Sequence, residues 1–365
     1  MINMSVGEPD FNTPDHIKEA GKKAIDDNFS KYSPVPGYMD LREAIVEKLK
    51  KENHLDYTTG EVIVGTGGKQ GVCNTILALV NPGDAVIIPA PYWVSYPQMA
   101  KLAGATPVIV RAGFEQDFKM TAEQLEAAIT PKTKMLILCS PSNPTGSVYS
   151  QEELNALAEV ILKHEDMFVL SDEIYEHINY VGKAASIASY PGMKERTIIC
   201  NGVSKAYAMT GWRLGWVAAP AWIVKGINKL QGQYTSGTCD VSQKAAVAAY
   251  VASQDCVEQM RVAFERRRDL IVKLAKDIPG LEVNVPQGAF YLFPKCSSFF
   301  GKSDGETVIN NSTDFAMYIL EKAHVATVGG DAFGDPDCFR MSYATSDDNI
   351  REAMRRIKEV LAVLK

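Results

Sequence analysis

The chain has 365 residues, 46% of them hydrophobic and 22% charged, with 38 basic against 44 acidic side chains and a formal net charge of −6. At roughly 100–200 residues per domain, that length makes about two domains and excludes a peptide or a disulfide-stapled miniprotein. The charge shows no basic excess for nucleic acid, and apolar runs such as Ala85 to Ala90 fall far short of the ~18–20 residues a membrane helix needs.

In chain order, the start Met1-Ile-Asn-Met-Ser-Val-Gly7 has no basic stretch followed by an apolar one, so no secretion signal is expected. Pro14 opens a first helix, but the first thirty residues are too few to fold alone and are expected to pack with a smaller unit formed by the end of the chain. Apolar, β-rich runs then alternate with helical patterns, the signature of a parallel sheet covered on both faces. Strands are expected at Glu61 to Gly65, Ala85 to Pro89, Thr106 to Val110, Met135 to Cys139, Phe168 to Ser171, Thr197 to Cys200 and Leu214 to Ala218. Helices are expected at Lys69 to Val80, Tyr92 to Ala103, Thr121 to Ile129 and Gln151 to His164, where Ser150 and Glu153 form a capping box. From about Val241 a long helix is expected to reach Lys276. Short strands follow around Leu281 to Val285 and Ala289 to Phe293, and a last helix at Asp348 to Leu364. The expected division is a large domain over 31–275 and a smaller α+β domain made of 1–30 and 276–365.

Seven cysteines are scattered so widely that the nearest two, Cys239 and Cys256, are 17 residues apart. No CxxC pair exists for zinc or redox work, and the odd, dispersed set suits a reducing compartment, here the cytoplasm. The five histidines, His16, His54, His164, His177 and His324, are equally dispersed, so neither a histidine triad nor a metal site is expected.

In an open α/β sheet, ligands bind beyond the carboxyl ends of the strands. There the sequence places Gly65-Thr-Gly67-Gly68-Lys69-Gln-Gly71, Ser140-Pro-Ser-Asn143-Pro-Thr-Gly146, Ser171-Asp172-Glu-Ile-Tyr175 and Asn201-Gly-Val-Ser204-Lys205, with Arg213 eight residues on. The glycine segment opens a helix, and such a turn presents free amides to an anion. It is not a dinucleotide fingerprint, and Gln70 replaces the Ser/Thr of a P-loop. A phosphate cup, an aspartate, a tyrosine and a lysine at one sheet edge match pyridoxal phosphate. That cofactor needs a lysine for its aldehyde, a carboxylate for its ring nitrogen and donors for its phosphate.

The segments Ser204-Lys-Ala-Tyr-Ala-Met-Thr-Gly-Trp-Arg213-Leu-Gly, Ser140 to Gly146, Ser171 to Tyr175 and Phe339-Arg340-Met-Ser-Tyr-Ala resemble those of class I aminotransferases, over essentially the whole chain. The bacterial-type aspartate enzymes are the nearest resemblance, through Val6-Gly7-Glu-Pro-Asp-Phe-Asn-Thr-Pro14, Lys31-Tyr32-Ser-Pro-Val-Pro-Gly37, Gly67-Gly-Lys-Gln and Pro91-Tyr-Trp93-Val-Ser-Tyr96. The resemblance implies the fold of pyridoxal-phosphate-dependent transferases, with a mostly parallel seven-stranded sheet. It makes Lys205 the lysine that forms a Schiff base with the cofactor, Asp172 the partner of the ring nitrogen and Tyr175 the donor to the ring hydroxyl. Ser204, Arg213 and the amides around Gly67, Gly68 and Lys69 would hold the phosphate, and Trp93 would stack on the ring. Arg340, with Asn143 and the backbone at Gly7, would bind the substrate α-carboxylate, and the Lys69 side chain its distal carboxylate. Tyr32 would reach the phosphate of a neighbouring subunit, which implies a homodimer with shared sites.

The implied reaction is ping-pong transfer of the amino group of aspartate to 2-oxoglutarate. Alternatives within the same chemistry are aromatic amino acids, prephenate or alanine as substrates, or a carbon–sulfur lyase. A PLP-binding regulator would need room for a DNA-binding domain. Such enzymes usually carry about one more helix ahead of the Gly7-Glu-Pro-Asp-Phe motif, so a missing leader or arm is expected here.

Overall fold

The computed structural model describes residues 1–365. Seven strands form the main sheet: β1 (Val62–Gly65), β2 (Ala85–Ala90), β3 (Thr106–Arg111), β4 (Thr133–Cys139), β5 (Phe168–Asp172), β6 (Thr197–Gly202) and β7 (Gly215–Ala218). Their order is β1-β7-β6-β5-β4-β2-β3, and only β7 runs against the others. The seven expected strands are therefore all present, each within a few residues of its expected bounds. Their apolar runs reflect burial on both faces. Neighbouring residues divide between two layers: Ile63 and Ile198 belong to one hydrophobic cluster, Val62, Val64 and Ile199 to another.

The helices are α1 (Asp15–Asp26), α2 (Met39–Lys48), α3 (Gly68–Leu79), α4 (Tyr96–Leu102), α5 (Ala122–Ala128), α6 (Gln151–Ile161), α7 (Ala221–Tyr234), α8 (Asp240–Val251), α9 (Asp255–Lys276), α10 (Ser312–Tyr318) and α11 (Asp347–Leu361). Helix α3 packs Val72 and Ile76 on one face of the sheet, and α6 packs Leu154 and Leu157 on the other. Ser150 caps α6 in the expected reciprocal manner with Glu153. The β1 edge is covered: the Val64 amide donates to Pro36 O, and Gln231 Nε2 donates to Val64 O at 2.9 Å.

Several expectations are corrected. The helix expected over Tyr92 to Ala103 begins at Tyr96, and the segment over Leu281 to Val285 forms a single bridge, Glu282 to Lys295, rather than a strand. The long helix toward Lys276 is two helices, because Gln254 Nε2 donates to Ala249 O and Ala252 O while Ser253 Oγ accepts from the Asp255 amide. These local bonds replace the helical ladder at the break. Beyond it, α9 buries Phe264, Ile271 and Ala275 in the C-terminal core, so its packing does not follow a boundary at 275. Helix α1, expected with the smaller unit, buries Ile17 beside Leu41 and Ala245 on the main sheet.

The smaller unit contains an antiparallel sheet of β8 (Tyr291–Leu292), β9 (Val328–Gly329) and β10 (Phe339–Ser342), with β10 in the middle. The chain start joins this unit: Ile2–Asn3 pairs with Val325–Ala326, and the Ser342 amide donates to Met4 O. No helix is long and apolar enough to cross a membrane.

Candidate active site

A cavity of about 460 Å³ lies beyond the carboxyl ends of β4, β5 and β6, walled on its other side by β9, β10 and the segment Val6 to Glu8. Gly7, Gly68, Lys69, Trp93, Asn143, Asp172, Tyr175, Ser204, Lys205, Arg213 and Arg340 all line it. Topology explains the convergence: Asp172 is the last residue of β5, Lys205 follows β6 by three residues, and Arg340 sits within β10.

The Lys205 ammonium donates to Gly7 O at 2.5 Å. Burial brings its pKa down to about 8, with Glu8 and Asp172 opposing that shift and Arg340 and Arg213 adding to it. Asp172 is buried, and burial raises its carboxyl above the ordinary range. The Tyr96 hydroxyl, donating to Oδ2 at 2.7 Å, and the Ile174 amide, donating to Oδ1, oppose the rise. Arg340 is 7% exposed; it donates to Asn143 Oδ1 at 2.8 Å and to Ser5 O at 2.6 Å, and its Nε has no partner. A guanidinium carries five N–H donors, so Arg340 keeps capacity for a carboxylate.

The phosphate end is built by close approach. Gly67 has φ 79°, and a side chain there would meet Arg213 Nη2 at 2.5 Å. A Cβ on Gly215 would lie 2.3 Å from Gly68 N. No side chain caps α3, so its first amides stay open to an anion beside the Arg213 guanidinium. A buried carboxylate, a lysine of lowered pKa and an uncapped helix start with an arginine form a donor set that fits pyridoxal phosphate.

The family model for aminotransferases of class I and II matches residues 1–357. The chain is 50% identical, over all of its length and 77% of the relative's, to the bifunctional aspartate aminotransferase and glutamate/aspartate-prephenate aminotransferase of Petunia hybrida. It is 49% identical to the aspartate/prephenate aminotransferase of Cereibacter sphaeroides, over the whole chain and 92% of that protein. The crystal structure of the aspartate aminotransferase from Rhizobium meliloti superimposes with a TM-score of 0.97 at 44% identity, covering 100% of this chain and 92% of that one.

The chain belongs to the class I and II aminotransferases. It is a pyridoxal-phosphate-dependent enzyme.

Of the expected site residues, this aminotransferase brings all to the cavity or its rim except Tyr32, which is fully exposed and lines a separate groove with Ser33 and Thr238. Lys69 Nζ lies 4.8 Å from the centre of the Trp93 ring, so the lysine rests over the indole within the site. Two tyrosines that the sequence did not single out hold the site together. Tyr96 fixes Asp172; it closes the Pro91-Tyr-Trp-Val-Ser-Tyr96 segment three residues after Trp93, a spacing that sets both rings edge to face at 5.3 Å. Tyr291 OH lies 2.7 Å from Tyr175 OH; its only sequence signal is a tyrosine in an apolar run, since a buried phenol needs a polar partner.

Behind the β5 end the aminotransferase buries a second polar group. Lys48 pairs with Glu176, which also accepts from Asn53 and Asn201. Burial alone would raise the Glu176 carboxyl, but Lys48 and His177 hold it at about 2. This network ties α2 to the turn after Tyr175 and to the end of β6.

Proposed function

We propose that this enzyme moves the amino group of L-aspartate to 2-oxoglutarate, giving oxaloacetate and L-glutamate by a ping-pong cycle. The observation that carries the reading is a match of charges. Besides Lys205, three cations line one cavity, Arg213, Lys69 and Arg340, and a dicarboxylic substrate with the cofactor brings three anions. Arg213 and the α3 amides serve the phosphate, Arg340 with Asn143 the α-carboxylate, and Lys69 the distal carboxylate. The names of the Petunia, Cereibacter and Rhizobium relatives support aspartate as the donor.

Pyridoxal phosphate, when bound, supplies a carbonyl carbon for the amino group and a ring that accepts the electrons of a substrate carbanion. The protein supplies the rest. Asp172, oriented by Tyr96, would hold the proton on the ring nitrogen. Tyr175 would donate to the ring oxygen, and Trp93 would pack against the ring. Lys205 would hold the cofactor through its aldehyde carbon, and its free amine would serve as the base for the substrate Cα proton. With a pKa near 8, about a tenth of its amine is unprotonated at pH 7 and about half at pH 8. Arg340 orients the substrate so that this proton faces Lys205. Tyr32 completes the phosphate site of a neighbouring subunit in a cytoplasmic homodimer, which gives its full exposure a purpose.

The test is one assay of the purified holoenzyme with aspartate, phenylalanine and alanine, each against 2-oxoglutarate. Aspartate should give the highest kcat/KM, with glutamate and oxaloacetate as products. Preference for phenylalanine or alanine, or release of ammonia, would overturn the reading. The names of the Petunia and Cereibacter relatives also support prephenate as an acceptor. It too has two carboxylates, and Val6, Val94, Val328 and Phe333 offer its ring an apolar wall. Replacing 2-oxoglutarate by prephenate tests that second reading.

A further inference from the structure

Tyr291 stands where the substrate and cofactor parts of the cavity meet. Its hydroxyl lies 2.7 Å from that of Tyr175 and is the only hydrogen-bonding partner of that hydroxyl in the chain. Its ring lies under Arg340, 4.6 Å from the guanidinium carbon. A Cβ on Gly7 would meet its oxygen at 2.3 Å, so the chain start closes over the phenol only because residue 7 is glycine. Tyr291 itself is fully buried and belongs to β8 of the smaller unit, whereas Tyr175 follows β5 of the main sheet.

A phenol has one proton to donate and lone pairs to accept. Between two phenols 2.7 Å apart, only one proton lies on the shared axis. If Tyr175 spends its proton on the cofactor ring oxygen, the bond between the tyrosines must run from Tyr291 to Tyr175. We infer that Tyr291 is a positioning residue, which donates to Tyr175 and so turns the Tyr175 proton toward the cofactor ring oxygen. This rests on the proposed role of Tyr175 and adds the group that fixes its direction. A donor that itself accepts a hydrogen bond is polarised and donates more strongly. The other titratable and charged groups facing the pair are Lys205, 5.7 Å over the Tyr175 ring, Arg340, and the Cys139 thiol, which burial pushes up to about 12 and keeps neutral.

The readout is the pH midpoint at which the visible absorbance of the bound cofactor changes in the holoenzyme without substrate. A donor to the ring oxygen favours the deprotonated form, so losing it moves the midpoint upward. Tyr175→Phe should raise it by about 1–2 pH units and Tyr291→Phe by about 0.5–1. The double variant should match Tyr175→Phe alone, since Tyr291 acts only through that hydroxyl. Tyr291→Phe keeps the ring under Arg340, so the affinity for maleate, a dicarboxylate probe, should stay within about twofold. A purely structural role would instead lower the thermal midpoint and leave the titration alone. If Tyr175→Phe shifts the midpoint and Tyr291→Phe does not, or if the two shifts add, the inference is wrong. If Tyr175→Phe itself shifts nothing, the role of Tyr175 falls first.

Discussion

Lys69 shows how one side chain can decide a substrate. Its amide lies in the first turn of α3, while its ammonium rests over the Trp93 ring. Helix starts favour acidic rather than basic side chains, so nothing local calls for a lysine there. If it meets the distal carboxylate, Lys69→Ala leaves that charge unpaired, and kcat/KM for aspartate relative to phenylalanine should fall about 10–100-fold. Phenylalanine turnover alone should change little. An unchanged ratio would leave aspartate preference without its residue. Arg340 is more constrained, because two of its donors already serve Asn143 and Ser5, and substitution there would disturb the cavity wall as well as substrate binding.

At the scale of elements, the site depends on how closely β7 approaches the turn into α3. A methyl at Gly215 would strike backbone atoms of Gly67 and Gly68 at 2.3 to 2.9 Å, and backbone cannot rotate away as a side chain can. Gly215→Ala should therefore destabilise the protein by about 1–3 kcal/mol. It should also weaken the affinity for pyridoxal phosphate, as the α3 amides are pushed out of line. Gly113→Ala, whose methyl would have nothing within 4 Å, is the control. Equal thermal midpoints and cofactor affinities in the two variants would contradict this account of the cradle. The strands of the main sheet were legible because double burial demands unbroken apolar runs such as Val62 to Val64 and Ile198 to Cys200. Helices α2 and α7 were not, since α2 buries only Leu41, Ile45 and Lys48 and α7 carries Gly226 and Gly232 within its span. The two-residue strand Tyr291–Leu292 falls inside the expected run Ala289 to Phe293, but its partner, Met341–Ser342 some fifty residues away, left no local signal to read. The same physics divided the site. Asp172 and Lys205 were legible at strand ends, whereas the contact between Tyr175 and Tyr291 exists only once two distant segments have packed.

For the whole molecule, two buried carboxyls near each other give stability a pH dependence. Glu173 is fully buried with only the hydroxyls of Ser171 and Ser186 as side-chain donors. Burial, with Glu176 nearby, raises it from 4.5 to about 7. Between those values the folded state holds a proton that the unfolded chain has released, so stability falls as pH rises through this window. The loss approaches roughly 3 kcal/mol above pH 7. Glu173→Gln should flatten the dependence. Urea unfolding at pH 5 and pH 8, at fixed protein and cofactor concentration, measures it, and an identical slope in the variant would exclude Glu173 as the source. The chain start carries a different consequence. Ile2 to Gly7 are pinned by strand pairing at one end, while Ser5 O and Gly7 O sit on the donors of Arg340 and Lys205 at the other. These carbonyls are rivals of the ligands: whatever claims Lys205 must displace Gly7, and a carboxylate on Arg340 shares its guanidinium with Ser5. The chain start is thus tied to the catalytic lysine only while the cavity is empty, and filling it trades the hold of Lys205 on Gly7 for a hold on the ligand.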